Sequence, residues 1–204
     1  MPYAVPFDTV PALESREGDS PARRRSLPVA RVSLRPISTT DAEICFRWVS
    51  DPDVTRFLGL VQPPATLQRE RAWIAGAIAD KAQRSIFIIE DEHGRPIGTC
   101  GLRGIDQEAG TAFFGIMIGE KRLWNQGYGT AATKAIVDYG FRELDLKEIR
   151  LACHPDNPAG LRCYQKAGFR RSRHKPERER YGSSELRMAL PRQDWEQLSE
   201  AAGE

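Results

Sequence analysis

The stretch from Thr111 to Thr130, TAFFGIMIGEKRLWNQGYGT, leaves this chain few ways to fold. It reads as a β-strand running into a glycine-bearing turn that opens a helix. A helix N-terminus presents N–H groups without intrahelical partners and the positive end of the helix dipole, so it attracts phosphate. Without a Cβ, Gly127 and Gly129 let a pyrophosphate lie against the main chain. Two familiar nucleotide motifs do not fit. A dinucleotide fold asks for G-x-G-x-x-G and an acid about 20 residues on, after a second strand. Here Ala132 takes the third glycine position, and Glu148 stands at the start of the next strand-like run rather than its end. A G-x-x-x-x-G-K-[ST] loop also fails, because Gly127 is followed by YGTAATK. What survives is a phosphate-binding turn.

A second block narrows the ligand. Lys147–Cys153 is another strand-like run, followed by HPDNPAGLRCYQKAGF from His154 to Phe169. The order strand, W-x-x-G-x-G turn, helix, strand, D-N-P-A-x-x-x-x-Y-x-x-x-G-F resembles the GNAT superfamily of acetyl-CoA-dependent N-acetyltransferases. The chain is most similar to the bacterial branch that includes ribosomal-protein N-terminal acetyltransferases, some aminoglycoside acetyltransferases and polyamine acetyltransferases. FRWVSDPDVTRFL, Phe46–Leu58, is similar to that branch's first helical region. The resemblance covers about Val32–Leu190. It implies an α+β fold whose central sheet is mixed and mostly antiparallel, with helices on both faces. It also implies acetyl-CoA as co-substrate and no metal.

Length and composition agree with one compact enzyme domain. The 204 residues are 40% hydrophobic and 28% charged, enough to bury a sizeable core. A net charge of +2 says little about partners. Cys45, Cys100, Cys153 and Cys163 lie far apart without a C-x-x-C pair, so reduced structural thiols are expected rather than a disulfide or a metal site. No apolar run approaches a membrane span and no signal-peptide core is visible, which makes the cytoplasm the expected compartment and a membrane partner unexpected. Met1–Pro28 holds five prolines and almost no apolar period, so residues 1–29 are expected to be disordered. Its Arg23–Arg25 run reads as solvated charge.

The rest alternates strand and helix, giving an expected domain at 30–191 and a helical tail at 192–204. Arg31–Pro36 reads as an edge strand, and Thr40 or Asp41 as the cap of a helix through Trp48 with Glu43 in its first turn. Thr66–Gln83 reads as a helix with Leu67, Trp73, Ile74, Ala77 and Ile78 on one face. Ser85–Glu90 and Pro96–Arg103 form a hairpin about EHGR, and Thr111–Gly119 is the next strand. The helix from Gly127 to Leu144 is expected to bury Tyr128, Ala131, Ala132, Ala135, Ile136 and Tyr139. Glu185–Leu190 reads as a last strand and Gln193–Ala202 as a short amphipathic helix. These elements make an α+β layer fold.

Acetyl transfer from a thioester to an amine needs an unprotonated amine, charge stabilisation at the carbonyl oxygen and a proton for the departing thiolate. The resemblance assigns the second need to main-chain N–H groups of Phe114–Gly119, with Ile116, Met117 and Ile118 along the pantetheine. It assigns the diphosphate to the run Trp124, Asn125, Gln126, Gly127, Tyr128, Gly129 and Thr130. A helix starting near Asn157 brings Asn157, Gly160 or Leu161, and Tyr164 onto one face. Asn157 is then placed to hold the pantetheine arm, and Tyr164, a phenol protonated at neutral pH, to protonate the thiolate. The plainer readings are a helix cap for Asn157 and a core aromatic for Tyr164. Gly160 stands where the branch often has a serine.

Many relatives carry A-E-F-G in the strand, whereas this chain has Ala112-Phe113-Phe114-Gly115. Phe113 thus replaces a carboxylate. Water, His154 and Glu120 are the remaining candidates for the base. An unperturbed histidine accepts a proton near pH 7, yet His154 and Glu120 also read as a strand-end residue and a solvated loop charge. Asp51 and Asp53 either attract a cationic amine or cap the turn around Pro52. From Arg162 to Arg180 eight Lys/Arg face two Glu, but without interleaved aromatics nucleic acid is not an expected partner. The expected enzyme, a monomer or homodimer, acetylates a small-molecule amine or a protein N-terminus by direct attack. A catalytically impaired acyl-CoA-binding module is the alternative that Phe113 motivates.

Overall fold

A computed structural model of the chain describes residues 30–58, 65–173 and 185–203. The proline-rich N-terminal segment with Arg23–Arg25, the Pro63-Pro64 break and the basic stretch beyond Arg173 lie outside the described residues. The strands are β1 Val32–Pro36, β2 Arg84–Asp91, β3 Pro96–Asp106, β4 Thr111–Ile118, β5 Glu148–Cys153, β6 Arg170–Arg171 and β7 Leu186–Pro191. The helices are α1 Ala42–Val49, α2 Pro52–Thr55, α3 Leu67–Ala79, α4 Tyr128–Arg142, α5 Pro158–Lys166 and α6 Arg192–Gly203.

Among the described residues the strands form one sheet in the order β1-β2-β3-β4-β5-β7-β6. Every neighbour pair is antiparallel except β4 and β5, which are joined by the α4 crossover. Alternation along the strands feeds two cores, one on each face. Ile89, Leu102, Phe114, Ile136 and Ile149 belong to the larger, under α4, while Ile88, Trp48, Ile74 and Cys45 belong to the smaller, under α1 and α3. The mixed, mostly antiparallel sheet with helices on both faces is the one the sequence predicted.

Local details differ from that reading. Helix α3 stops at Ala79, not Gln83, because Asp80 leaves helical geometry at ψ 49° and Gln83 N–H closes a turn on its carbonyl before β2 begins. Trp73 is 43% exposed, since it sits one residue off the Leu67, Ile74, Ala77 and Ile78 stripe. The buried face of α4 is also rotated. It comprises Tyr128, Ala132, Thr133, Ile136, Val137, Gly140 and Phe141, while Ala131, Ala135 and Tyr139 flank it. Gly140 sets that rotation, for a Cβ there would lie 2.8 Å from Ile149 Cδ1 and 2.9 Å from Leu102 Cδ1. Helix α6 packs back on α4, with the Trp195 ring 5.1 Å from Phe141 and its Nε1 donating to Asp138 at 2.7 Å. Among the described residues no helix is long and apolar enough to cross a membrane.

The β2–β3 turn is held by Asp91, which accepts from His93 N and Arg95 N at 3.0 Å each and from Arg95 Nε at 2.8 Å. The Arg95 guanidinium and these two N–H groups hold its carboxyl down at about 2. The sign follows: the stabilisation is complete above the ordinary carboxylate range and is lost as pH falls toward 2. Asp91→Asn is therefore expected to lower the melting temperature at pH 7 and to flatten its acid dependence. Equal melts for both proteins from pH 3 to 7 would contradict that account.

Candidate active site

The parallel ladder between β4 and β5 ends at Phe113 and Arg150. Strand β4 goes on pairing with β3 as far as Ile118, and Gly119 N–H donates to Ile97 O at 2.8 Å. By strand alternation the N–H groups of Ile116 and Ile118 then point away from β3, into the gap that β5 has left. They meet no β5 partner there. Strand donors without a ladder are ready to bind the amide and carbonyl groups of a ligand.

Two helix starts frame the gap. Gly127 caps α4 at φ 94°, a left-handed conformation that side chains disfavour. Asn125 is also left-handed, at φ 60°. The turn is pinned by Trp124 Nε1 donating to Ile118 O at 2.8 Å and by the Gln126 amide donating to Arg122 O. Across the gap α5 begins with Asn157, whose side-chain oxygen accepts Gly160 N–H at 2.9 Å. Tyr164 lies on α5, its ring edge-on to Phe114 at 6.0 Å and to Phe169 at 6.3 Å. All of these elements line one cleft of about 610 Å³.

Gly129 reveals what the cleft is built to hold. It stands in the first turn of α4, and a Cβ there would meet Cys163 Sγ at 3.6 Å and Ile118 Cγ1 at 3.9 Å, both ordinary contacts. The protein therefore has room for alanine, the better helix former by about 1 kcal/mol. The missing Cβ leaves space on the cleft side at a helix N-terminus, where a phosphate would approach. Gly129→Ala is accordingly expected to raise thermal stability slightly while weakening acetyl-CoA binding. A stability gain with unchanged affinity would remove Gly129 from the binding surface.

The expected ligand residues divide. Ile116, Met117, Ile118, Trp124, Asn125, Gly127, Gly129, Thr130, Asn157, His154 and Tyr164 line the cleft. Gln126, Tyr128 and Glu120 do not. The Gln126 side chain folds back onto Arg122 O. Tyr128 is buried, its hydroxyl donating to Glu92 at 3.0 Å and tying α4 to the hairpin. Glu120 turns to α1, where its Oε1 accepts from Arg47 Nη2 at 2.6 Å and Trp48 Nε1 at 3.0 Å. Its carboxylate is thereby held at α1, outside the lining of the cleft. Asn157 caps α5 through its side-chain oxygen, the plainer of its two readings, and its NH₂ is not used by that cap.

The rest of the cleft lies on the other face of β4. Val54, Arg56, Phe57 and Leu58 border it from α2 onward, together with His154, Arg103, Phe113 and Gly115. The Phe57 and His154 rings are 5.4 Å apart. His154 Nδ1 accepts the Asp156 N–H at 3.1 Å, which leaves the ring proton of the neutral imidazole on Nε2. Asp51 caps α2 and, with Asp53, holds Lys121 Nζ at 2.8 Å, so the two carboxylates form a structural ion cluster. Sequence reasoning missed Arg103 and Arg56, because nothing local in the chain marks which arginine of a strand or turn reaches a cleft.

A family model described as an acetyltransferase (GNAT) domain matches residues 31–170. This chain belongs to the GNAT acetyltransferase family. An N-acetyltransferase of Bacillus licheniformis, p20, is 31% identical over 148 residues, covering 72% of this chain and 83% of its own. YoaA of Bacillus subtilis (strain 168), also named as an N-acetyltransferase, is 29% identical over 157 residues, covering 71% and 82%. Among solved structures, spermidine N-acetyltransferase from Vibrio cholerae in complex with CoA and spermine superposes with a TM-score of 0.70. That match has 20% identity and covers 80% of this chain and 97% of the other. This GNAT chain is thus an acetyl-CoA-dependent N-acetyltransferase, with acetyl-CoA as its co-substrate. The gap between β4 and β5, the Gly127 turn and the space at Gly129 fit that co-substrate.

Proposed function

We propose that this enzyme acetylates a primary amine by direct attack, with both substrates in the cleft together. The acceptor is a small-molecule amine or a protein N-terminus, and the chain stands near the branch that holds the bacterial ribosomal-protein N-terminal acetyltransferases. In this reading residues 30–191 are the catalytic domain and 192–204 its helical tail. The observation that carries it is the parting of β4 from β5 in the cleft that Tyr164 also lines.

Ile116 and Ile118 offer main-chain N–H groups along the pantetheine arm and the thioester. The α4 start at Gly127, Gly129 and Thr130 takes the diphosphate through backbone donors and the helix dipole. As the amine nitrogen bonds to the carbonyl carbon and the carbon–sulfur bond breaks, Tyr164 gives its proton to the departing sulfur. The proton leaving the amine goes to water, since Phe113 supplies no carboxylate, Glu120 faces α1, and the Nδ1 lone pair of His154 is engaged by Asp156 N–H.

An acyl-enzyme is disfavoured by the thiols themselves. Burial pushes Cys153 up to about 11 and also raises Cys163, so neither is a ready thiolate at neutral pH. The test is thiol release from acetyl-CoA with a panel of polyamines, aminoglycosides and N-terminal peptides, with the acetylated product identified by mass. Release that needs an acceptor supports the reading. Binding of acetyl-CoA without release for any acceptor would mark a binding module instead.

A further inference from the structure

The gap between β4 and β5 is open at one end and closed at the other. Its closed end is the parallel ladder, which holds Thr111–Phe113 to Glu148–Arg150. Its open end lies at Ile118, beyond which the chain turns through Trp124 and Gly127 into α4. A ligand whose diphosphate sits on the start of α4 therefore runs its arm along β4 toward the ladder. The acyl group at the tip of that arm travels furthest in.

Phe114 is the first residue of β4 past the ladder, so it stands at that inner end. It lines the cleft yet is only 3% exposed. Strand alternation puts it on the α4 face of the sheet with Ile116, and Cys153 joins them there from β5. The Phe114 ring is braced from two sides. Phe169, itself buried, stacks on it at 6.0 Å and 22°, and Tyr164 meets it edge-on at 6.0 Å. Those two rings also meet each other, at 6.3 Å, and Phe169 N–H donates to Tyr164 O at 3.0 Å. Each ring holds the other two, and Phe114 can turn aside only by opening a hole in a close-packed core. In the reading above Tyr164 gives its proton to the departing sulfur. The acyl carbon, one bond from that sulfur, then lies beside Phe114.

Resting on that reading, we propose that Phe114 limits the length of the acyl group the enzyme transfers. Its braced ring ends the gap just past the carbonyl carbon, leaving room for the methyl of an acetyl group and none for further methylenes. A site that cannot relax rejects added carbons, because overpacking forces strained rotamers and backbone shifts. Phe114 is then a specificity residue for the acyl donor. A ring that served the core alone would affect stability and leave the choice of donor untouched.

The experiment measures affinity for acetyl-, propionyl- and butyryl-CoA by calorimetry, and kcat/KM for the same donors with an amine that supports thiol release. Acetyl-CoA is expected to lead butyryl-CoA by about 10- to 200-fold in both, the range for misfit by a methylene in an apolar pocket, with propionyl-CoA between them. Phe114→Leu, which removes part of the ring's volume, is expected to reduce that ratio severalfold, with melting curves confirming that it folds. If it does not fold, Phe114→Met, unbranched and more adaptable, is expected to move the ratio the same way. Butyryl-CoA handled as well as acetyl-CoA by the unmodified enzyme, or an unchanged ratio in a folded Phe114 variant, would overturn the inference and leave acetyl transfer standing. Thiol release from none of the donors with any amine would overturn the enzyme reading and this inference with it.

Discussion

Replacing Tyr164 with phenylalanine is expected to lower turnover about 100-fold while leaving acetyl-CoA affinity nearly unchanged. The ring packs edge-on against Phe114 and against Phe169, and phenylalanine keeps those contacts, so the fold and the cleft wall survive. What disappears is the one proton the residue can give. Loss of a general acid costs about 10²- to 10⁴-fold. The lower end applies because a thiolate, from a thiol of pKa about 8.5, leaves tolerably without help. The loss is expected in kcat and kcat/KM alike, the mark of an interaction made only as the bond breaks. Turnover equal to that of the unmodified enzyme would reduce Tyr164 to a packing residue.

Gly127→Val is expected to weaken acetyl-CoA binding by tenfold or more. Space is not the obstacle, since a Cβ there meets only Ala30 Cβ, at 3.6 Å. The obstacle is φ, which stands at 94°. A left-handed conformation costs an ordinary residue about 1–2 kcal/mol, and a β-branched one more. A valine is expected to flatten the turn, swinging the first N–H groups of α4 away from the diphosphate and adding two methyl groups in its path. A factor of ten corresponds to about 1.4 kcal/mol, within reach of that strain alone. Wild-type affinity in a folded Gly127→Val protein would contradict the phosphate-turn assignment. Together with Gly129→Ala, this variant separates backbone geometry from ligand clearance.

Much of this was legible in the chain because the informative signals are local. A strand, a W-x-x-G-x-G turn and a helix follow one another without a break, so Gly127 and the Ile116–Ile118 strand are found by period and punctuation alone. Asp-Asn-Pro marks the start of α5 by its capping chemistry, and the spacing to Tyr164 then follows from the helix. The residues that were misplaced depend on tertiary packing. Glu120 follows a strand end that leads toward the cleft, but the buried indole of Trp48 and the Arg47 guanidinium draw its carboxylate to α1. Tyr128 opens the right helix, yet its hydroxyl is captured by Glu92 from a hairpin distant in sequence. Trp73 and the α4 stripe shifted by one helical position, which hydrophobic period alone does not resolve. Arg103 was invisible for a related reason. Its place in the cleft lining depends on Gly115 on the neighbouring strand, and only the register of β3 against β4 brings the two together.

The central claim is that acetyl-CoA lies in the gap between β4 and β5, with its diphosphate on the start of α4. Following the backbone amides of the nitrogen-labelled protein by NMR during an acetyl-CoA titration tests it most directly. The largest shift changes are expected at Ile116, Ile118, Gly127, Gly129 and Thr130, with the β2–β3 hairpin and α6 unaffected. Saturable changes centred anywhere else on the molecule, or none at all, would contradict the account.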